Sequence, residues 1–327
     1  MWKKTGIDPF VVAIIGMIIL ARLFPGPGAM EGPWSLDSLA GYGVSGIFFF
    51  YGLRLSGAEL AGGLKLYRLH LLVQASCFLF FPLLVLLFKP VFAGTPSEIL
   101  WMGTFFLASL PSTVSSSVVM VSIAGGNIPA AIFNASISSL LGVFITPLWM
   151  QGLVRTQAGS HDMTHIILKL VLQVLVPVIL GLLLHRWGGE FARRKKGTLK
   201  LFDQSVILVI VYAAFSEAFE KKLFEGLTTA MLLGLFVAMG LLFWTALFFV
   251  KSVCRWLDFD RADTITAVFC GSKKSLIHGT VLSKVLFASN PQVAVLLLPL
   301  MVYHALQLVM AAMLAGRWKR EQDTKTS

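Results

Sequence analysis

Apolar stretches alternate with short polar ones along the whole chain. Ten of them are close to the roughly 20 residues that a membrane-spanning helix needs. They cover residues 9–24, 36–55, 69–92, 99–124, 128–154, 165–185, 201–219, 227–250, 262–288 and 292–316. A polar connector at 156–164 separates the first five from the second five. The pattern predicts an all-α polytopic membrane protein with ten transmembrane helices.

The fourth apolar stretch contains a proline followed by a run of hydroxyl residues. The run consists of Pro111, Ser112, Thr113, Ser115, Ser116 and Ser117. Proline removes a backbone donor and clashes with the preceding turn, and serine and threonine offer the freed backbone groups other partners. We therefore expect a helix that enters at residue 99 to break near Pro111 and to resume by about Ser117.

The ninth apolar stretch contains a second irregular place, formed by Gly271, Ser272, Lys273, Lys274 and Ser275. Glycine weakens a helix, and a lysine at mid-bilayer costs about 3 kcal/mol on insertion scales. In a bilayer, irregular backbone survives only where protein or a polar cavity surrounds it. Interrupted segments at matching positions of two halves indicate a transporter's binding site, so we expect these two places to lie together.

The position of the two irregular places suggests an internal repeat. Five stretches per half is an odd number, so two equivalent halves must have opposite orientations in the membrane. We expect inverted five-helix repeats at 1–155 and 165–316, joined by the connector at 156–164 and followed by a cytoplasmic tail at 317–327. The irregular places fall in the fourth stretch of each half, about 160 residues apart.

The composition confirms the membrane class and the charges predict an orientation. Of 327 residues, 57% are hydrophobic and 13% are charged, whereas soluble domains carry roughly 25% charged residues. Eighteen of the 27 lysines and arginines fall on the side of the two termini and six on the other, which predicts cytoplasmic termini. We expect a plasma (inner) membrane protein in contact with lipid, with no polar face left for nucleic acid.

Three further features receive structural interpretations. Cys77, Cys254 and Cys270 lie in apolar stretches without paired spacing, which indicates small buried side chains. The N-terminal segment 1–8 carries two lysines but is not followed by a clear cleavage site, which favours a retained first helix. The histidines in the polar loop 161–165 lack further ligands, so no metal site is assigned.

The candidate substrate- or ion-binding residues belong to the two irregular places and to polar positions of neighbouring stretches. They are Pro111, Ser112, Thr113, Ser115, Ser116, Ser117, Gly271, Ser272, Lys273, Lys274, Ser275, Gln74, Asn134, Ser138 and His278. The hydroxyls bind solute or else join helices. The amides of Gln74 and Asn134 line a cavity or else hold helices together.

For two lysines and two histidines, a functional and a purely structural role are both open. A lysine here binds an anionic solute, replaces a sodium ion or releases a proton, or else it only donates to backbone carbonyls. Lys273 is favoured as the lysine that faces the site, because it is nearer to Gly271, where backbone opening is expected. His278, placed two helical turns beyond the break, and His304 couple protons or are buried structural side chains.

Five motifs together suggest a family. They are Tyr-Gly-Leu-Arg-Leu-Ser at 51–56, Pro-Ser-Thr-Val-Ser-Ser-Ser-Val at 111–118, Gly-Gly-Asn at 125–127, Thr-Pro at 146–147 and Phe-Cys-Gly-Ser-Lys-Lys-Ser at 269–275. With the order of apolar stretches, they resemble the SBF-like branch of the bile acid:sodium symporter superfamily over almost the whole chain. The resemblance implies a panel domain and a core domain, with two broken helices crossing in the core beside the substrate cavity.

The resemblance also bears on the coupling ion. In the bile-acid branch the crossing carries two sodium sites, and the ninth helix reads Glu-x-Gly-x-Gln-Asn. Matched on the glycine, this chain has Phe269 at the glutamate, lysines 273–274 at the Gln-Asn pair, and Ala131 and Ala135 at hydroxyl ligands. A fourth-helix hydroxyl ligand is matched at 116 or 117. Because hard cations prefer several oxygen ligands, we predict that sodium is not strongly coupled.

These observations predict a secondary transporter that moves a small organic, anionic solute by alternating access. It needs no cofactor, with Na⁺ or H⁺ left as the coupling ion, and acts as a monomer or homodimer. One alternative is an ion-handling or regulatory membrane protein without its own transport cycle. Another is an integral membrane enzyme. The sequence shows no nucleophile–base pair and no metal-ligand set at informative spacing, which argues against this alternative.

Overall fold

The structure, a computed structural model, describes residues 9–30, 32, 35–54, 66–113, 115–157, 168, 171–287 and 290–326. Within these ranges the regular structure is helical. The helices are α1 (Pro9–Leu23), α2 (Leu36–Arg54), α3 (Tyr67–Leu86), α4 (Glu98–Ser109), α5 (Ser115–Ala124), α6 (Ile128–Gln157), α7 (Val171–Arg194), α8 (Lys196–Glu220), α9 (Thr229–Trp256), α10 (Arg261–Gly271), α11 (Leu276–Leu286) and α12 (Val293–Thr326). Single turns lie at Gly26–Ala29 and Lys89–Phe92.

Length and composition identify the membrane-crossing helices. Among the described residues, six helices are long and apolar enough to cross a membrane, namely α3, α6, α7, α8, α9 and α12. α1 and α4 are apolar but shorter. The chain is therefore a helical integral membrane protein, while the count of ten spans and their inverted repeat remain predictions.

Most predicted ends match the helices to within a few residues, but several helices are longer than predicted. α7 continues beyond 185 to Arg194, α9 continues beyond 250 to Trp256, and α8 begins at Lys196, ahead of 201. The third stretch stops being helical at Leu86 and not at 92, because the chain turns before a separate helical turn, Lys89–Phe92. The last helix continues to Thr326, so the predicted tail at 317–327 is helical almost throughout. The segment 1–8 and the loop 158–167, with its two histidines, lie outside the described residues.

Proline shapes two of the helices. α3 contains a π turn at Ser76–Phe80, and α7 begins with one at Val171–Leu175. Each π turn leads directly into α-helix with a proline in its first turn, at Pro82 and Pro177. Proline cannot donate the hydrogen bond that closes an α turn, and local π geometry lets other groups take up the freed carbonyls.

The helices pack in two groups. The first group contains α1, α2, α7 and α8. The second group contains α12 and the helices that pack against it, α4, α5 and α9. In the first group, a Cβ on Gly52 of α2 would collide with the Val178 carbonyl of α7, so the two backbones touch. An ion pair between Arg54 and Asp203, 3.1 Å apart, joins α2 to α8.

The end of α12 packs against the second interrupted helix. Arg261, the first residue of α10, donates from Nη2 to the Trp318 carbonyl at 2.7 Å. The Trp318 ring meets the Phe269 ring edge-on at 5.3 Å between centroids. These contacts tie the last helix to the start and to the end of α10.

Candidate functional site

The two interruptions expected from the sequence are present and face each other. α4 and α5 are separated at 110–114, and α10 and α11 at 272–275. The Ser112 hydroxyl donates to the Cys270 carbonyl at 2.6 Å, which links the first interruption to the end of α10. We call the contact between the described residues 110–113 and 272–275 the junction.

Lys274 supplies the donors for the end of α4. Its ammonium donates to the carbonyls of Ala108 at 2.7 Å and Leu110 at 2.8 Å, and to the Cys77 carbonyl in the π turn of α3 at 2.6 Å. The Phe81 ring lies 4.2 Å from the nitrogen, within cation–π range. Lys274 is fully buried, so its side-chain nitrogen meets carbonyl oxygens and an aromatic face in place of water.

Two other carbonyls of the first interruption are also satisfied by distant residues. The Thr146 hydroxyl on α6 donates to the Ser109 carbonyl at 2.7 Å. The Ser275 N–H donates to the Pro111 carbonyl at 2.9 Å. A helix end buried in a bilayer needs such partners because no water reaches it.

The end of α10 is held in the same way. The Ser117 hydroxyl on α5 donates to the Phe269 carbonyl at 3.1 Å, and the Ser76 hydroxyl on α3 donates to the Gly271 carbonyl at 2.8 Å. Gly271 is the last residue of α10, as its position in the motif suggested. The first interrupted helix thus donates hydroxyls to the carbonyls at the end of α10, and the second donates the Lys274 ammonium and the Ser275 N–H to the carbonyls of the first.

Lys273 has different surroundings from its neighbour. It is also fully buried, but its ammonium reaches only the Ser116 hydroxyl, at 2.7 Å, among the described residues. Thr113 links the Ser116 hydroxyl at 2.8 Å to the Ser117 hydroxyl at 2.9 Å. Lys273 therefore lies at one end of a chain of three hydroxyls. From the sequence, the two lysines differ only in their distance from the glycine. In the structure, Lys274 is the one that reaches the carbonyls of a broken helix.

The amides expected near the site lie next to each other. Gln74 donates from Nε2 to the carbonyl and to the Oδ1 of Asn134, both at 3.3 Å, and Asn134 donates to the Ala130 carbonyl at 3.1 Å. The Oε1 of Gln74 is buried without a hydrogen-bond partner among the described residues. The Ser138 hydroxyl, farther along α6, accepts from the Ser112 N–H at 3.0 Å.

His278 lies in the first turn of α11 and not two turns beyond the break, because the helix resumes only at Leu276. Its N–H is capped by the Ser275 hydroxyl, which also meets its Nδ1 at 3.0 Å. Its ring packs edge-on against Tyr51 at 5.7 Å and against Phe48 at 6.4 Å between centroids. It therefore joins α11 to α2.

Two other predicted residues lie at helix ends next to the junction. Ser115 is the first residue of α5, and its side chain lies outside the described part. The Ser272 hydroxyl donates to the Val268 carbonyl at 2.6 Å, closing the last turn of α10. The serines of both interruptions and Pro111 of the first therefore build the junction, whichever of them contacts a solute.

Two residues of α12 complete the junction and were missed from the sequence. The Tyr303 hydroxyl donates to the Ser272 carbonyl at 2.7 Å. The Gln307 amide accepts from the Lys274 N–H and donates to the Lys274 carbonyl, both at 2.8 Å. Gln307 is a lone amide in an apolar stretch, as Gln74 is, so the same sequence signal marks both residues.

A cavity of about 280 Å³ lies between the end of α8 and the end of α11. Its polar lining comes from Glu217, Lys221, Ser283, Lys284 and Asn290. Glu217 is paired with Lys221 at 2.7 Å. The cavity therefore lies between α8 of the first packing group and α11 with the start of α12.

The all-helical membrane fold and the junction of two interrupted helices define the chain as a membrane transporter. A model of the SBF-like CPA transporter family matches residues 8–320. The chain belongs to this family, which confirms the branch that the sequence motifs resemble and excludes the enzyme alternative.

Relatives resemble the chain over nearly its full length. An uncharacterized protein of Pseudomonas aeruginosa is 42% identical over 318 residues, which cover 97% of this chain and 94% of the relative. The Escherichia coli protein named "Putative symporter YfeH" is 38% identical over 320 residues, with the same coverage. Sodium/bile acid cotransporter 7-B of Xenopus laevis is 33% identical over 308 residues, covering 93% and 90%.

Proposed function

We propose that the protein is a secondary transporter that moves a small organic anion by alternating access. The observation that carries the proposal is the junction, where two interrupted helices meet around two fully buried lysines. Broken helices of this kind bind the solute and the coupling ion in secondary transporters.

The proposal includes ten spans in two inverted repeats. The first repeat (1–155) consists of α1, α2, α3, α4 with α5, and α6. The second (165–316) consists of α7, α8, α9, α10 with α11, and α12. This assignment is supported by the order of the helices, since each half then has its interrupted helix as the fourth span. The packing group of α1, α2, α7 and α8 forms the panel, and the remaining helices form the core.

The anionic group of the solute binds where α5 and α11 begin. The N-terminus of a helix attracts negative charge through its free N–H groups and its dipole. Ser116, in the first turn of α5, is half-buried and therefore accessible from one side. Lys273 lies 2.7 Å behind it, where it donates to the Ser116 hydroxyl and does not contact the solute itself. The hydroxyl run and the helix N-termini therefore form the anion-binding surface.

Sodium has no required place in this site. The Lys274 ammonium is already surrounded by three carbonyls at 2.6–2.8 Å, and carbonyl oxygens are ligands that replace the hydration shell of an alkali ion. The fixed charge of Lys274 therefore supports the end of α4 without an added cation. This leaves the proton as the favoured coupling ion.

Alternating access moves the panel against the core. The cavity between α8 and α11 provides access to the region between panel and core at one end. The Tyr51 hydroxyl donates to the Ser136 carbonyl at 2.7 Å and joins panel helix α2 to core helix α6. This bond breaks when panel and core separate on the side of the membrane opposite to the cavity. The protein resides in the plasma (inner) membrane with both termini in the cytoplasm, as a monomer or homodimer.

The test is uptake by the purified protein in proteoliposomes. Radiolabelled mono- and dicarboxylates are offered outside, and accumulation is compared with protein-free liposomes and with matched neutral amides. Uptake of a carboxylate that saturates with concentration supports the proposal. Ion currents or binding without solute movement would favour the rival, an ion-handling or regulatory membrane protein.

A further inference from the structure

We propose that Lys273 binds and releases the coupling proton of the transport cycle, while Lys274 keeps its charge throughout. The inference rests on the proposed transport function and names both the coupling ion and the group that carries it. It starts from a contrast between two adjacent lysines that are both fully buried.

Every proton of the Lys274 ammonium has an acceptor. Its three N–H groups match the three carbonyls of Cys77, Ala108 and Leu110. A neutral amine has only two N–H groups and a lone pair. Loss of the proton would leave one carbonyl without a donor and would turn the lone pair toward it. The surroundings of Lys274 therefore require the charged form.

The Lys273 ammonium has fewer partners. Among the described residues its only acceptor is the Ser116 hydroxyl, at 2.7 Å. Two of its three N–H groups are therefore left without an acceptor in that part of the chain. A buried charge that is neither paired nor fully hydrogen-bonded is costly, and such groups give up their charge. The surroundings of Lys273 accommodate a neutral amine.

The hydroxyl chain beyond Lys273 has a fixed direction. The Ser117 hydroxyl donates to the Phe269 carbonyl, which cannot donate in return. Ser117 must then accept from Thr113, Thr113 from Ser116, and Ser116 from Lys273. Each hydroxyl has one proton, so Lys273 is the donor to Ser116 in either protonation state. Release of one proton from Lys273 thus leaves the chain intact.

The release step is simple. One N–H bond of the Lys273 ammonium breaks, the proton passes to water, and the electron pair stays on Nζ. The half-buried Ser116 marks the direction from which water reaches the site. Rebinding is the reverse, on whichever side of the membrane the site then faces.

No neighbouring acid offers itself as an alternative carrier. The titratable side chains at the junction are Cys77 on α3, Cys270 on α10, His278 on α11, Tyr303 and His304 on α12, and Lys274 itself. The carboxylate of Asp263 lies at the other end of α10, in its first turn, where it accepts from the Asn127 amide. Among the described residues, no carboxylate acts on Lys273. Lys273 therefore lacks the counter-charge that would hold its proton permanently.

The test separates net transport from exchange in proteoliposomes, with the labelled carboxylate that wild-type protein transports. Uptake driven by an imposed pH gradient requires proton binding and release. Counterflow, in which labelled solute outside exchanges with unlabelled solute inside at equal pH, requires only movement of the loaded site. We expect Lys273→Met and Lys273→Arg to lose uptake driven by the pH gradient and to keep counterflow. Lys251→Met, an exposed lysine on α9, should behave as wild type in both assays.

Other outcomes overturn the inference in distinguishable ways. Uptake driven by the pH gradient in Lys273→Met would show that another group carries the proton. Loss of counterflow in both well-folded variants, as judged by size-exclusion profile and melting temperature, would make Lys273 a solute-binding residue. Absence of counterflow in the wild type for all carboxylates would refute the proposed transport function and the inference with it.

Discussion

Gln307 on α12 holds the backbone of Lys274 from both sides, with its Oε1 2.8 Å from the Lys274 nitrogen and its Nε2 2.8 Å from the Lys274 carbonyl. The same Nε2 lies 2.9 Å from the Nδ1 of His304. Because the backbone of Lys274 is fixed in this way, its side chain starts from a defined position. The Lys274 ammonium is therefore directed at the end of α4 by α12, a helix that is distant from Lys274 in the sequence.

Replacing Gln307 by leucine should destabilise the protein. The substitution leaves the buried N–H and carbonyl of Lys274 without partners, and an unsatisfied buried polar group costs about 1–3 kcal/mol. Thermal unfolding in detergent measures the effect. Gln173→Leu on α7 is the matched control, and equal melting temperatures for both variants would contradict the role given to Gln307.

Replacing Lys274 by methionine should be more damaging than replacing Lys273. Methionine keeps the stem but leaves three buried carbonyls without donors, for which we expect a loss of about 3 kcal/mol or more. In Lys274→Ala, which leaves room at the site, methylammonium or ethylammonium should restore part of the lost stability. Melting curves with these ions and with choline at equal ionic strength provide the measurement. A Lys274→Met protein as stable as Lys273→Met would be incompatible with this assignment.

Exchange of sodium for potassium should leave the wild-type protein unchanged. The positive charge of Lys274 already occupies the position between Cys77, Ala108 and Leu110, and no group of three or more candidate metal-binding side chains occurs among the described residues. Melting temperature and solute uptake are compared in the two salts at constant ionic strength. A saturable rise of either quantity with sodium would show that a sodium site exists elsewhere.

Adding a methyl group at Gly142 should disturb the first interruption. A Cβ there would lie 2.6 Å from the Pro111 ring, so either α6 or the interruption has to move. Overpacking of this kind typically costs about 1–3 kcal/mol. Gly41→Ala is the control, because nothing lies within 4 Å of its added Cβ, and alanine favours a helix by about 1 kcal/mol over glycine. The two variants should therefore shift the melting temperature in opposite directions.

The proposed topology can be tested by labelling with a membrane-impermeant maleimide. Ser97→Cys should react from outside in intact cells, and Thr198→Cys, at an exposed position, should react only after permeabilisation. Ser160→Cys, outside the described residues, should behave like Ser97→Cys. The native cysteines are free and buried, so they add little background. The reverse pattern would refute both the orientation and the inverted repeat.

Much of this architecture could be read from local signals. Pro111 and Gly271 mark the ends of two helices because proline and glycine act through the backbone at their own positions. The hydrophobic stretches located the helices, although α7, α9 and α12 continue well beyond their predicted ends. These features depend on a few consecutive residues, and the sequence displays those directly.

The partners at the junction could not be read in this way. Thr146 and Gln307 reach the interruptions from helices far away in the chain, and nothing local to them shows which carbonyl they meet. The two lysines differ for the same reason. They lie in a non-helical segment, where adjacent side chains do not keep the offset of about 100° that they have in a helix. Their surroundings therefore depend on α3, α4 and α5.

The length of α12 has a mechanical consequence. Its 34 residues, at about 1.5 Å per residue, make a rod of about 50 Å, whereas the hydrocarbon layer is about 30 Å thick. The C-terminal part of the rod is anchored by Arg261 at the start of α10, which donates to the Trp318 carbonyl. A tilt of the core therefore displaces the end of α12 that extends into the aqueous phase. A fluorophore near Thr324 would report movement of the core around the two lysines.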